Sequence, residues 1–501
     1  MGYHLRPAWA VFPCESEIAD RMTYLTNANC DGHKGGASRW NWAWVLALNA
    51  TFVGFCWHSK GFLRTVDLIG LSLLWVAYAI MFRCKRLAQG PRWIVLGLSV
   101  VVVACFVYDM LWHNPLLYAV ERQHKSYRLL AVTSLGLIIA AWLVPRRRRL
   151  SWLLAGAAIC YGAYMWTQMA RSPHPVMDCW FVHTAAADRL LAGNNPYANA
   201  YPDIYEQVGH PGFGYVHYCI YPPALELLYA IPRVFFADIR WVIFTAMSLC
   251  LLLFGASVSR KGEQVGSGPS ALVQAGAVLT FWYHGGQTYL MEQCWPECIL
   301  LLLICLALWH WRRNDVLTAL ALGVAISVKQ TAWLCCPFLL SLAVKERRWR
   351  LIGLTVAVVT AVVLPFFLWE PTVLFERLIL DLLVKPPRKE SLSWAAVSLK
   401  LAPGLFTPVY LASYAFYLAC LWGLILRFRK PQGRDALLET VRWMCLGLLA
   451  FFLFLKQSFF NYYYFLGGLL TFYLCLAGNV WSAPAEDGED LVHAGCIQDQ
   501  A

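Results

Sequence analysis

One stretch of the chain concentrates side chains able to move a proton. It reads Pro175-Val-Met-Asp178-Cys-Trp-Phe-Val-His183-Thr-Ala-Ala-Ala-Asp188-Arg189-Leu-Leu-Ala-Gly193-Asn194-Asn195-Pro196-Tyr197. Asp178 follows the end of an apolar run and stands at an N-cap-like position. Residues 179–192 have the pattern of an amphipathic helix, closed by Gly193 and the Asn-Pro turn. A carboxylate at a water–lipid boundary serves either as a helix cap or as a general base at a cavity mouth. An exposed Asp, with a pKa of about 3.9, is a weak base, and partial desolvation would raise it. Tyr218-Cys-Ile-Tyr221-Pro222-Pro223 follows. That unit is rigid and lacks two amide donors, so it either positions a phenol or makes a turn before a surface helix.

Positive charge able to meet an anion lies further along. Lys329 sits between the apolar runs 315–328 and 331–344. A lysine at such depth faces a cavity or a partner, unless it snorkels to the interface. Lys456, just before Phe460-Asn461-Tyr462-Tyr463, is a second candidate, with Arg233 and Arg240 weaker ones because basic residues beside a surface helix also meet lipid phosphates. Glu292 and Glu297, with Gln287 and Gln293, are either buried functional groups or a solvated helix end. His210 and His217 have no metal-ligand partner at useful spacing, and no Cys/His pattern suggests zinc, so no metal is assigned.

The elements that must position these residues are set by composition. Of 501 residues, 59% are hydrophobic and 14% charged, with mean hydropathy +0.51. A soluble domain carries roughly 45–50% apolar and about 25% charged residues. Soluble, disordered, coiled-coil and collagen classes are thereby excluded, leaving a chain that uses lipid as solvent. The net charge of +12 comes from short basic clusters between apolar runs, which suits membrane topology and anionic lipid rather than nucleic acid. The 18 cysteines lie mostly inside apolar runs and read as small core residues. Residues 1–39 are polar, with Pro7, Pro13 and Gly35-Gly36, and do not resemble a signal peptide.

The expected fold is an all-α polytopic transmembrane bundle of about 14 membrane segments. They are 41–57, 66–82, 93–112, 129–145, 151–170, 240–258, 269–284, 290–311, 315–328, 331–344, 351–369, 405–427, 437–455 and 459–479. The runs 315–328 and 331–344 are too short to cross about 30 Å comfortably and suggest half-length helices meeting inside the bundle. Basic clusters at Arg83–Arg92, Arg146–Arg149, Arg260-Lys261, Arg312-Arg313, Lys345–Arg350 and Arg427–Arg434 all follow even-numbered segments. That side should be cytoplasmic, with both termini inside. Lys60, Arg64, Arg122, Lys125 and Arg128, in the external loops 58–65 and 113–128, depart mildly from the rule. Residues 171–239 become a large external loop, with 221–237 as a helix on the outer membrane surface, and 370–404 a second external loop. The implied organisation is a cytoplasmic segment 1–39, four N-terminal helices in 40–150, a membrane core 151–480 and an acidic cytoplasmic tail 481–501.

Taken in order, Asp178 with its amphipathic helix, Leu-Leu-Ala-Gly193-Asn-Asn-Pro-Tyr197, Tyr221-Pro-Pro, Gly285-Gly286-Gln287, Val328-Lys329-Gln330 and Phe460-Asn461-Tyr462-Tyr463 resemble glycosyltransferase family 87. These are polyprenol-phosphate-dependent mannosyltransferases of the GT-C superfamily. The resemblance covers roughly 150–480, and His183 stands where the family often has an aromatic residue. It implies a GT-C-type membrane fold and a multi-pass protein of the cell membrane with its site on the outer face. It further implies a polyprenyl-phosphate hexose donor, with mannose the commonest, and a lipid or glycan acceptor. By that resemblance Asp178 is the base of an inverting displacement, and Lys329, Arg233 and Lys456 hold donor phosphate. His183, Tyr197, Tyr221, Gln287, Glu292, Asn461 and Tyr462 would contact substrate. No cofactor is implied, since the lipid-linked sugar phosphate is a substrate. Two other readings of such a bundle are a lipid-glycan transporter or flippase and a glycan polymerase or ligase. Transporters often show matched broken helices in both halves, and only one short pair is evident here. A polymerase would lean on loop arginines, of which 171–239 offers only Arg171, Arg189 and Arg233.

Overall fold

A computed structural model describes residues 51–55, 58–60, 62–83, 165–207, 217–235, 237–259, 281, 286–429 and 436–480, with isolated positions between 129 and 163. Among these residues every named element is helical, and the one extended pairing is an isolated bridge between Phe62 and Ser391. Lipid offers no partners for backbone amides, so a chain this apolar closes its hydrogen bonds within helices. The main helices are α1 (Thr65–Arg83), α2 (Asp178–Leu191), α3 (Pro223–Arg233), α4 (Arg240–Ser259), α5 (Gly286–Glu292), α6 (Glu297–His310), α7 (Asp315–Ile326) and α8 (Thr331–Lys345). They continue with α9 (Trp349–Trp369), α10 (Trp394–Leu401), α11 (Phe406–Phe428), α12 (Ala436–Phe454) and α13 (Phe460–Val480).

Four helices among the described residues are long and apolar enough to cross a membrane: Arg240–Ser257, Trp349–Trp369, Pro403–Phe428 and Ala436–Phe454. The described residues are thus all-helical with four candidate membrane spans. The expected segment 93–112, nearly all of 129–145 and 269–284, most of 41–57 and part of 151–170 lie outside the described residues, as do the segment 1–39 and the tail 481–501. One expected crossing is sharply bent. Residues 290–311 divide into α5 and α6, which meet at a bend of 113°. Cys294, at φ +56°, and Pro296, at the N-cap of α6, break the helix there. The half-length expectation for the next two runs matches helices of 12 and 15 residues, about 18 and 22 Å long at 1.5 Å per residue. Asn314 starts α7 by accepting the Leu317 N–H at 3.0 Å.

The surface segment 221–237 is an 11-residue helix, α3, with prolines at its N-cap and first position. Its inner face carries Ala224, Leu225, Glu226 and Tyr229, and it packs on α2 and α9. Leu227, Ile231 and Phe235 point outward. The Ala224 amide at its start donates to the Ser327 carbonyl at 2.8 Å, and the Gln330 side chain donates to the Ile220 carbonyl at 2.6 Å. These two bonds tie the Tyr-Pro-Pro unit to the junction between α7 and α8.

Basic clusters that follow different helices converge at the other end of α8. Lys345 Nζ donates to the Phe428 carbonyl at 3.0 Å, Arg312 pairs with Glu346 at 3.5 Å, and Arg348 pairs with Asp315. The helix α8 thus runs from the Lys329 junction to a cationic end.

The core is tight where α13 crosses α6. A methyl group on Gly468 would lie 2.2 Å from Leu301 Cδ2 and 3.0 Å from Phe281 Cζ, and Leu301 is fully buried. Overpacking of this kind costs roughly 1–3 kcal/mol. Gly468→Ala is expected to lower the melting temperature of the detergent-purified protein by several degrees. Pairing it with Leu301→Ala should recover part of that loss, as read by intrinsic fluorescence during heating.

Candidate active site

The helix α2 opens at Asp178, after an extended Met177 that makes no side-chain cap. Asp178 is therefore the first helical residue rather than the N-cap. Its Oδ1 accepts the Cys179 N–H at 2.8 Å, and its own amide donates to Tyr205 Oη at 3.4 Å. The positive end of the helix favours a carboxylate in this first turn. The far end closes as the Gly193 spacing predicts. Gly193 adopts φ +75° and donates to the Leu190 carbonyl, and Asn194 donates to that of Arg189.

Asp178 lines a cavity of about 380 Å³ together with His183, Tyr221, Lys329, Asn461 and Tyr462. These expected residues come from four separate parts of the chain. Lys329 is buried and forms an ion pair with Glu297. Asn461 Nδ2 donates to the same Glu297 oxygen at 2.6 Å. The ammonium also lies 4.7 Å from the Tyr221 ring centroid and 5.3 Å from that of Tyr462. Lys329 is thus a matched charge held between two aromatic faces. Glu297 Oε2 and Asn461 Oδ1 are buried and accept no hydrogen bond from the described residues. Asn461 lines the cavity, so its Oδ1 suits a ligand hydroxyl, whereas Glu297 lies behind the lining.

Three further cations line the same cavity: Lys60, Lys385 and Arg388. Burial pushes the Lys385 ammonium below the usual lysine range, and the Asp178 carboxylate pulls it back up. Burial and Asp178 push the Cys179 thiol up, and burial raises the Tyr221 phenol. Both stay protonated at neutral pH and act as donors rather than nucleophiles.

The remaining expected residues lie outside the cavity lining. Arg233 makes a two-bond pair with Asp188 at 2.7 and 2.9 Å, on the surface between α3 and α2. Lys456 donates to the Leu383 and Lys385 carbonyls at 2.9 and 2.8 Å, fastening the second external loop. Tyr197 is buried and donates to the Tyr221 carbonyl at 2.7 Å, behind the cavity wall. Gln287 bonds Tyr464 at 2.8 Å, and Glu292 accepts from Ser172 at 3.1 Å, both in the core. Arg240 is buried against Asp238 at 2.7 Å. The alternative of a solvated end for Glu292 and Glu297 does not hold, because both are fully buried. The bend between α5 and α6 turns Glu297 inward.

Lys60, Lys385 and Arg388 carried no recognisable motif. Their only sequence signal was basic charge in loops placed on the outer side.

Residues 219–456 match glycosyltransferase family 87. No curated protein and no solved structure matches the chain. The match is a similarity to that family over just under half of the chain, shorter than the expected coverage of 150–480. The family 87 stretch contains Tyr221, Glu297, Lys329, Lys385 and Arg388. Asp178 and His183 precede it, and Asn461 and Tyr462 follow it. The cavity is thus built from within the family 87 stretch and from both flanks.

Removing one member of a buried ion pair leaves an uncompensated charge and costs about 3–5 kcal/mol. Lys329→Met and Glu297→Gln should each lower the melting temperature strongly. The double variant should be more stable than either single one. Additive losses in this cycle would mean that the two side chains do not interact.

Proposed function

We propose that the cavity transfers a hexose, with mannose first among candidates, from a polyprenyl-phosphate donor to a hydroxyl of a lipid or glycan acceptor. The carrying observation is that Asp178 shares one cavity with Lys60, Lys385 and Arg388, in a chain with a family 87 stretch. The Asp178 carboxylate takes the proton of the acceptor hydroxyl. The hydroxyl oxygen attacks the anomeric carbon from the face opposite the phosphate. The bond from that carbon to the phosphate oxygen breaks, its electron pair leaves with the lipid phosphate, and the configuration inverts. Asp178 later gives its proton to water. Lys60, Lys385 and Arg388 match the charge on the departing phosphate. Lys329, already balanced by Glu297, contributes by fixing Glu297, which in turn holds Asn461 in the cavity lining. The unfilled Asn461 oxygen suits a sugar hydroxyl.

The cationic ends of α6, α8 and α11 support an orientation with those ends in the cytoplasm. The Lys329 end of α8 and the cavity then face the outside of the cell membrane, with both termini inside. A single cysteine placed near Asp203 in a cysteine-free background should react with an impermeant maleimide in intact cells. Reaction only after permeabilisation would invert this orientation.

Asp178→Asn keeps an oxygen to accept the Cys179 amide but cannot take up a proton at neutral pH. General-base contributions run roughly 10²–10⁴-fold. Transfer from radiolabelled polyprenyl-phosphate mannose to a membrane lipid extract should fall by that factor, with the melting temperature unchanged. Wild-type turnover by Asp178→Asn would remove it from the chemistry.

The pH dependence has a definite sign. A lysine held below its usual range loses its charge at lower pH than an ordinary lysine. If the Lys385 charge assists the reaction, kcat/KM should decline on the alkaline side as it deprotonates. Lys385→Arg keeps the charge and should extend the profile to higher pH, whereas an unmoved alkaline limb would separate Lys385 from donor binding.

A further inference from the structure

One buried cluster takes no part in the transfer scheme. His183 on α2, Cys219 before the Tyr-Pro-Pro unit and Glu226 on α3 bring their donor atoms within 4.8 Å of one another. All three are buried, at 2%, 0% and 0% exposure. His183 Nδ1 lies 2.6 Å from Glu226 Oε1, and Cys219 Sγ donates to the same oxygen at 2.9 Å. The other carboxylate oxygen, Oε2, is buried and has no hydrogen-bond partner among the described residues. Two polar groups therefore crowd one oxygen while its twin goes unused. That arrangement is poor as a finished hydrogen-bond network, because an unsatisfied buried carboxylate oxygen costs stability.

We propose that His183, Cys219 and Glu226 form a zinc site. The donor set is imidazole nitrogen, thiolate sulfur and carboxylate oxygen, which suits a borderline-soft ion of tetrahedral preference. Calcium and magnesium favour all-oxygen sites and would not select the thiol. Zinc bonds of about 2.0–2.3 Å require ligand atoms a little further apart than the two close contacts here. Turning Glu226 to use Oε2 supplies that adjustment and satisfies the orphaned oxygen. A thiolate and a carboxylate against a divalent ion leave no net charge, which makes burial tolerable. The three ligands come from α2, the segment before α3, and α3 itself, so the ion staples the external layer together. The His183 ring stacks on Tyr221 at 5.2 Å and 18°, and Tyr221 covers Lys329. The staple thereby holds one wall of the cavity. Positions 183, 219 and 226 have no recognisable metal-motif spacing, which is why the sequence suggested none.

The test is elemental analysis of the full chain, purified in detergent with a histidine-free affinity tag. The protein is incubated with zinc sulfate and then desalted. About one zinc per chain is expected in the wild type, falling to background in Cys219→Ser and Glu226→Gln. Cys305→Ser removes a buried thiol outside the cluster and should retain the ion. Cobalt(II) in place of zinc should give a thiolate-to-metal band in the near ultraviolet, absent in Cys219→Ser. Background zinc in the wild type, or undiminished zinc in folded Cys219→Ser, would overturn the site and leave a hydrogen-bonded trio. Should Cys219→Ser fail to fold, the wild-type zinc content and cobalt band decide alone. None of these readouts uses transfer activity, so the zinc site and the transferase reading fail separately.

Discussion

A charge carried into a lipid-facing bundle has to be answered inside that bundle, and here the answer is the pair between Lys329 and Glu297. Taking both ions out of water costs several kcal/mol each unless geometry and added hydrogen bonds compensate. Asn461 adds one bond to Glu297, and the Tyr221 and Tyr462 rings cover the ammonium. Each partner stands at an interruption or start of a helix. Lys329 lies between α7 and α8, Glu297 follows the 113° bend, and Asn461 opens α13. A continuous helix at any of these points would carry its residue away from the others. The short helices and the bend are thus the conformational requirement of one ion pair. The cavity is the space left where the three ends meet.

The same pair sets what could be read from residues alone. Half-length helices around Lys329 were legible because two apolar runs were too short to cross and a lysine separated them. Asp178 and Tyr221 were legible because turn chemistry marks the starts of α2 and α3, whereas His183 entered only through the family resemblance. The bend before Glu297 was hidden, since the run 290–311 is apolar enough on average to read as one span and hydropathy cannot see a single positive φ at Cys294. Pro296 was the local trace of it. The partners of Glu297 are 32 and 164 residues away, a distance no local pattern spans. Without that pairing Lys329 looked available for phosphate. Lys456, and more weakly Arg233, also looked available, but two carbonyls and a surface pair with Asp188 engage them.

The site also crosses the limits of the family 87 stretch. The segment before α1 docks on the second external loop, with Leu63 N–H donating to the Glu390 carbonyl at 2.7 Å and Phe62 bridging to Ser391. Phe62 meets Phe459 edge-on at 6.3 Å. Those contacts seat Lys60 in the cavity lining, opposite no motif that sequence comparison would score. Lys456 completes the arrangement from the other flank by fastening the loop that carries Lys385 and Arg388. A catalytic reading confined to residues 219–456 would therefore lack its proposed base and part of its positive rim.

The charges that break the topological rule acquire a physical reason from this. In the proposed orientation, basic residues outside the membrane run against the bias that places Lys and Arg in the cytoplasm. Most external basic residues would then be a cost without return. Lys60, Lys385 and Arg388 are three such exceptions, and all three line one cavity with Asp178. The proposed phosphate donor would supply the return, because its negative charge would have to be met on the side where it reacts. Burial pushes Lys385 towards neutrality, so its charge is most strongly favoured when an anion lies beside it. An anionic donor and the lysine would then reinforce each other's ionised forms. Cations set against the topological gradient, and partly buried, are better evidence for an anionic substrate than the larger clusters at the cytoplasmic ends.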